Sequence, residues 1–198
     1  MIDSNNIAEI FNFVKNQKNF SNLCLEITKK KISIAKNKKN ANLVVTSKNI
    51  IIKTNINLIL RQCCEIIIPL LLKNNSNLIG QIGQSIDGKI ALNNGKSHYI
   101  NEKESIIYLH CLRSISDGVL VGVNTIIKDN PLLTTRKIKG QNPTRLIIDP
   151  SLKLTNKYKI FKDNNKNIIF TNTSKRKKLY NTNIVKFPKK NFTLNTYK

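Results

Sequence analysis

Residues 109–136 read LHCLRSISDGVLVGVNTIIKDNPLLTTR. The stretch opens on the end of a helical pattern. It continues through GVLVG (118–122), a short apolar run bounded by glycines, and then through NTIIKDNP (124–131), a helical turn closed by Pro131. A continuous apolar run between helical patterns suits a buried strand of a parallel sheet. Proline stops the helix because it has no N–H and crowds the preceding turn. Helix, strand, helix in succession is the unit from which α/β folds are built.

The same texture continues outward. TRLIID (144–149), NIIFTN (167–172) and NIVKF (183–187) read as further strands, the first ended by Pro150. Upstream, residues 102–115 form an amphipathic helix with Ile106, Ile107, Leu109, Leu112 and Ile115 at its apolar positions. Asn101 is its expected cap, and Glu102 and Glu104 suit the positive end of the helix dipole. LIGQIGQ (78–84) reads as a strand, with Gly80 and Gly83 permitting close approach. Ser85–Gly88 is a turn, after which Lys89–Leu92 resumes extended structure.

Low-complexity NNSN (74–77) marks a boundary. Before it, residues 5–16 have helical spacing with Asn5 or Asn6 as cap, and 42–53 read as a hairpin around a Ser-Lys-Asn turn. Residues 55–73 look helical until Pro69, which should kink or end the helix. The expected organisation is therefore an N-terminal extension, 1–77, followed by a mainly parallel α/β domain, 78–198.

Composition limits the function classes. The chain has 198 residues, 40% of them hydrophobic, enough for a sizeable core. Its four cysteines lack metal-ligand spacing, which fits a reducing, cytoplasmic setting. The longest apolar candidate, 56–72, is interrupted by Arg61, Gln62 and Glu65, so no membrane span is expected. The N-terminus lacks a basic lead and apolar run and does not read as a secretory signal. The net charge is +23. Lysine, asparagine and isoleucine are abundant throughout, so compositional drift is preferred to a nucleic-acid partner. The clusters 29–39 and 174–178 keep a basic phosphate- or nucleic-acid-binding module as an alternative, although neither interleaves aromatics for base stacking.

The chain has no GxGxxG fingerprint and no Walker loop. His98 and His110 are its only histidines, which excludes a multi-histidine metal site, and no Cys/His/Glu cluster suggests zinc; no metal is expected. What remains is SIDGK (85–89), GVNTIIKDNPLLTTR (122–136) and IIDPS (147–151), each after a predicted strand, where open α/β sheets bind ligands. Arg113, Arg136 and Arg145 fall in this region. They suit either phosphate, which a guanidinium grips with a bidentate fork, or structural pairs with Asp87, Asp117 or Asp129.

Taken together, QSIDGKIALNNGKSHYI (84–100), 109–136 and NPTRLIIDPSLKL (142–154) resemble the reductase half of the bifunctional deaminase-reductase of riboflavin biosynthesis, a bacterial-type pyrimidine reductase. The resemblance covers about residues 78–172. It implies a three-layer dihydrofolate reductase-like α/β sheet, incomplete at the C-terminus here, and a homodimer. It also implies NADPH-dependent reduction of 5-amino-6-(5-phosphoribosylamino)uracil to the ribitylamino compound, by hydride transfer to C1′ of the opened ribose without a metal.

Position by position, the resemblance assigns Ser97, Arg113, Leu133 and Arg136 to substrate, the two arginines to its phosphate and Leu133 through its backbone. It assigns Gly83, Tyr99, Thr125 and Asp129 to the cofactor. Asp129 is also the candidate catalytic group, since a carboxylate beside the cofactor can handle a proton; its plainer role is a turn aspartate before Asn130-Pro131. Asp87 and Gly88 are read first as turn formers, and His110 and Cys111 as packed core residues. Three departures stand out. The family's Glu-Gly-Gly segment, which wraps the cofactor phosphates, is missing; Pro150 stands where a serine is expected; and 1–77 lacks the deaminase His-Ala-Glu and Pro-Cys-x-x-Cys pattern. An inactive reductase-like remnant therefore stands beside the working enzyme as a reading.

Overall fold

The structure is a computed structural model and describes residues 4–16, 22–27, 32–35, 39, 41, 43–46, 50–53, 58–72, 78–91 and 103–187. Packing divides the chain into two compact units, 1–115 with 135–141, and 116–134 with 142–198.

The first unit contains α1 (Ser4–Lys15), β1 (Asn22–Ile27), β2 (Ile32–Ile34), β3 (Leu43–Thr46), β4 (Ile50–Ile52), α2 (Leu58–Leu72) and α3 (Lys103–Ile115). The four strands form an antiparallel sheet in the order β2-β1-β3-β4. The expected hairpin is β3–β4, its turn lying outside the described residues. Strands β1 and β2 had no clear signal, because the lysines around ISI mask a three-residue run. Helix α1 starts at Ser4, so Asn5 and Asn6 lie inside its first turn and do not cap it.

One core joins the helices to the sheet. Ile10, Phe11 and Val14 of α1 meet Leu25, Leu43 and Val45 of the sheet, Cys63, Cys64, Ile67 and Ile68 of α2, and Cys111, Leu112 and Ile115 of α3. Burying each large aliphatic side chain contributes roughly 1.5–3 kcal/mol. The Lys15 ammonium donates to the Ile115 carbonyl (2.9 Å), satisfying an orphan acceptor at the end of α3. Helix α3 buries His110, Cys111, Leu112, Ser114 and Ile115, while Ile106 stays exposed. Its inner face is thus turned from the one its aliphatic residues alone suggest.

Two expectations fail here. Helix α2 runs unbroken through Pro69. The ring lies on the exposed face near the helix end, and the acceptor that loses its donor belongs to exposed Glu65, where water can replace it. Residues 78–84 form no strand; they are irregular, with Leu78 and Ile82 exposed. Gly80 and Gly83 weaken extended structure, and no strand pairs with the segment among the described residues. The turn after it is well made. Ser85 N–H donates to Lys89 O and Gly88 N–H to Ser85 O (both 2.9 Å), and Gly88 takes the left-handed φ of 78°. Asp87 pairs with Lys89 (3.1 Å) and accepts from the Ser85 hydroxyl. Ala91 ends the described stretch in a bend, so extended structure does not resume by that point.

The second unit carries β5 (Gly118–Gly122), α4 (Val123–Asp129), β6 (Thr144–Ile148), a 3-10 turn at Lys159–Phe161, β7 (Asn167–Thr171) and β8 (Thr182–Lys186). All four strands are parallel, in the order β5-β6-β7-β8. The expected α/β class and parallel sheet are therefore present; among the described residues β5 lies at the edge of the sheet, with Leu120 half exposed where GVLVG suggests a buried strand. Ile126, Leu133, Ile147, Leu152, Leu154, Ile160, Phe161, Ile169 and Leu179 make its core.

Arg145 sits fully buried in β6. Its guanidinium reaches both carboxylate oxygens of Asp163 (2.8 and 2.6 Å) and the Ile160 carbonyl (2.9 Å). It is therefore a structural arginine, paired with none of the three aspartates considered from sequence. The Arg145 hydrogen bonds hold the Asp163 carboxyl below the usual carboxylate range. Because that value is lower folded than unfolded, its stabilisation is present above about pH 4 and is lost as pH falls through the folded value. Asp163→Asn is expected to destabilise the fold by about 3–5 kcal/mol at neutral pH and to remove that acid-side component from denaturant melts recorded between pH 2 and 7.

The thiols give a second check. Burial pushes Cys63 up to about 11 and Cys64 and Cys111 to about 12; the neighbouring thiols contribute further to Cys64 and Cys111. Cys24 is the half-buried one. In a thiol-reagent titration of the native chain at neutral pH, Cys24 should react first and the other three only on unfolding.

Candidate functional site

In the parallel unit, the chain leaves β5 and enters α4 at Gly122, whose backbone is extended (φ −78°, ψ 155°). Nothing lies within 4 Å of where a Cβ on Gly122 would stand, so the carboxyl end of β5 has open space beside its backbone. Thr125 is half buried on α4, and Asp129, the last residue of the helix, is exposed. Four residues apart, they share one helix face, about 6 Å apart along the axis. Asn130 then turns left-handed (φ 43°), its N–H returning to Ile126 O (3.1 Å), and its side-chain oxygen accepts from Lys159 N–H (2.8 Å). The turn role thus belongs to Asn130, leaving the Asp129 carboxylate facing solvent. Leu133 is buried and left-handed (φ 55°), a conformation that costs leucine about 1–2 kcal/mol and turns the backbone just beyond Pro131.

The IIDPS loop does not offer its carboxylate to a ligand. Asp149 is fully buried and accepts from Lys153 N–H (2.9 Å) and Leu154 N–H (3.0 Å), closing the turn after β6. Sequence reading placed this loop in a cleft from its position at a strand end. The tight Asp-Pro-Ser-Leu turn, with Leu152 left-handed at φ 52°, explains why the aspartate turns inward.

In the other unit, Arg113 is half buried near the end of α3 and Arg136 is exposed in the loop 135–141. Burial first, and the nearby Arg136 guanidinium second, pull Arg113 below the ordinary arginine range. The two like charges are therefore held within electrostatic reach of each other. The loop is held against α3. Thr135 donates its hydroxyl to Gly140 O (3.1 Å), Ile138 N–H returns to Thr135 O (3.1 Å), and Ile138 enters the core beside α3. A Cβ on Gly140 would stand 2.6 Å from the Ser114 Cβ, so only glycine lets the loop lie this close to α3. Gly140 is the residue that sequence reading missed; its signal was a lone glycine following the basic KIK run.

Gly83 is half buried in the irregular stretch 78–84, and Ser97 and Tyr99 lie outside the described residues. The predicted residues thus fall into two described sets, Arg113 and Arg136 in one unit, Thr125, Asp129 and Leu133 in the other. Among the described residues no helix is long and apolar enough to cross a membrane, and no cluster of His, Cys, Asp and Glu could hold a metal ion.

Residues 76–194, more than half of the chain, match the family model of the RibD C-terminal domain. The chain belongs to this family. Over 72 residues it is 47% identical to the riboflavin biosynthesis protein RibD of Aquifex aeolicus, a stretch that is 36% of this chain and 20% of that protein. Over 67 residues it is 43% identical to the 2,5-diamino-6-ribosylamino-4(3H)-pyrimidinone 5′-phosphate reductase of the same organism, covering 32% of this chain and 30% of that one. A solved Thermotoga maritima diaminohydroxyphosphoribosylaminopyrimidine deaminase/5-amino-6-(5-phosphoribosylamino)uracil reductase aligns at 36% identity with a TM-score of 0.48, over 52% of this chain and 30% of that one. The chain thus spans less than a third of the length of each of these proteins.

The glycine contact gives a direct test. Gly140→Val should force the loop off α3 and cost about 1–3 kcal/mol in a denaturant melt, and adding Ser114→Gly should restore most of it.

Proposed function

We propose that this RibD C-terminal domain binds NADPH and reduces 5-amino-6-(5-phosphoribosylamino)uracil to its ribitylamino form. The observation that carries the reading is the match of residues 76–194 to the RibD C-terminal domain. Arg113, lowered first by burial and then by the Arg136 guanidinium, and Arg136 itself would suit a phosphate, which a guanidinium grips with a bidentate fork. Relatives bearing the reductase name act on a pyrimidinone 5′-phosphate, as their names state.

The residues fit the rest of that chemistry. The open space beside Gly122 leaves room for a flat cofactor at the carboxyl end of β5. On this reading Gly83, Tyr99, Thr125 and Asp129 hold NADPH, which supplies a hydride to C1′ of the opened sugar. Ser97, the Leu133 backbone and the two arginines hold the substrate, fixing C1′ against the nicotinamide; orientation of this kind carries much of such a reaction. Asp129, exposed at the end of α4, manages the proton that accompanies the hydride. The assignment keeps 78–198 as the reductase-like part and 1–77 as an extension, and it places the protein in the cytoplasm as a homodimer.

An NADPH titration of the purified chain at moderate salt, with NADH as control, tests the reading. Saturable, NADPH-preferring binding that weakens at least about tenfold in Thr125→Ala and Asp129→Ala is the expected result. A folded chain with no saturable signal would sink the catalytic reading and leave a reductase-like remnant. In a turnover assay, Arg136→Met should raise KM for the phosphorylated substrate by about 10- to 100-fold and leave kcat nearly unchanged, since the phosphate is remote from the reacting carbon.

A further inference from the structure

We propose that the crossover from β7 to β8 forms a second anion site, one for a short chain of linked phosphates, centred on Arg176 and Lys178. An open groove of about 420 Å³ lies on this crossover, lined by Arg176, Lys177, Lys178, Leu179 and Thr182. Every charged side chain in the lining is a cation.

The crossover is fixed in place. Leu179 is buried in the core of the parallel unit. Asn156 clasps the backbone on either side of it, donating to Lys178 O (3.4 Å) and accepting from Tyr180 N–H (3.0 Å). Lys177 is spent on the scaffold, its ammonium donating to Leu152 O (3.1 Å). That leaves Arg176 and Lys178, both exposed, and neither meets a carboxylate among the described residues. The sequence accounts for the imbalance. Asp163 is the last acidic residue of the chain, and it is engaged by Arg145; residues 164–198 carry nine lysines and arginines and no acid. Unpaired cations held by a rigid backbone around a groove attract a multivalent anion, with Arg176 offering a fork and Lys178 a point charge.

Position and lining identify the ligand class. Thr182 is the first residue of β8, so the groove reaches the amino edge of the parallel sheet, whereas Thr125 follows the carboxyl edge at β5. None of the residues lining the groove is among those assigned to the cofactor or the substrate, so the site is distinct from theirs in its residues. No aromatic side chain lines it, and the Tyr180 hydroxyl beside it is tied to Asn164 (3.0 Å). Nucleic-acid grooves need aromatic platforms for bases, so a compact oligophosphate is the better occupant.

Inorganic tripolyphosphate titrated calorimetrically into the full chain at about 150 mM salt, where surface attraction is largely screened, is the test. One saturable site is expected, weakened at least about tenfold in Arg176→Ala/Lys178→Ala and within about twofold of the parent in Lys153→Ala/Lys162→Ala, which removes the same charge from the same unit. Among the described residues Arg176 and Lys178 make no side-chain hydrogen bond or ion pair, so their removal should leave the melting curve unchanged. Equal weakening in both double variants would reduce the effect to net charge and overturn the site. So would the absence of saturation, or a single-stranded oligonucleotide that binds more tightly than tripolyphosphate.

Discussion

The parallel unit depends on one ion pair, a fully buried Arg145 held by a part-buried Asp163. Arg145 enters the interior from the second position of β6 and finds both oxygens of Asp163 and the carbonyl of Ile160. A buried guanidinium without that carboxylate would be prohibitive, so the 3-10 turn at 159–161 and the bend at 162–164 are held against it. Asn165 and Asn167 continue the network, donating to Asp163 and to Ile160 O, and Asn167 begins β7. The pair thus fixes the β6–β7 crossover and the register of the two central strands. At the other end of β6, buried Asp149 closes its own turn with two backbone amides. Aspartates anchor both ends of the crossover, and neither is available to a ligand.

That arrangement sorts the polar residues by role. The carboxylates with the most hydrogen bonds are architectural, whereas Asp129 is kept exposed because Asn130 takes over the left-handed turn. The arginines divide in the same way. Arg145 is matched to an acid and spent on the core, while in the other unit Arg113 is half buried on α3 and Arg136 exposed in the loop beside it.

Helix α3 shows how the chain upstream of residue 78 bears on that pair. Its inner face, from His110 to Ile115, packs in one core with α1, α2 and the antiparallel sheet, and Lys15 satisfies its last carbonyl. The packing division falls between Ile115 and Ser116, with residues 135–141 returning to the first unit. Arg113 therefore rests on a helix whose position is set by residues far from the family motif.

The sequence by itself determined the parallel strands, helices α3 and α4, and the family. These features are local: apolar runs of strand length, a proline after α4, and a long ordered motif whose spacing survives heavy substitution by lysine, asparagine and isoleucine. Tertiary structure alone decided which arginine is spent on the core, because Asp163 is eighteen residues from Arg145 and no local pattern links them. It decided that Asp149 faces inward, that α2 passes through Pro69, and that LIGQIGQ makes no strand. Each of these turns on whether a polar group or an apolar edge finds a partner elsewhere in the chain, which spacing along the sequence does not encode.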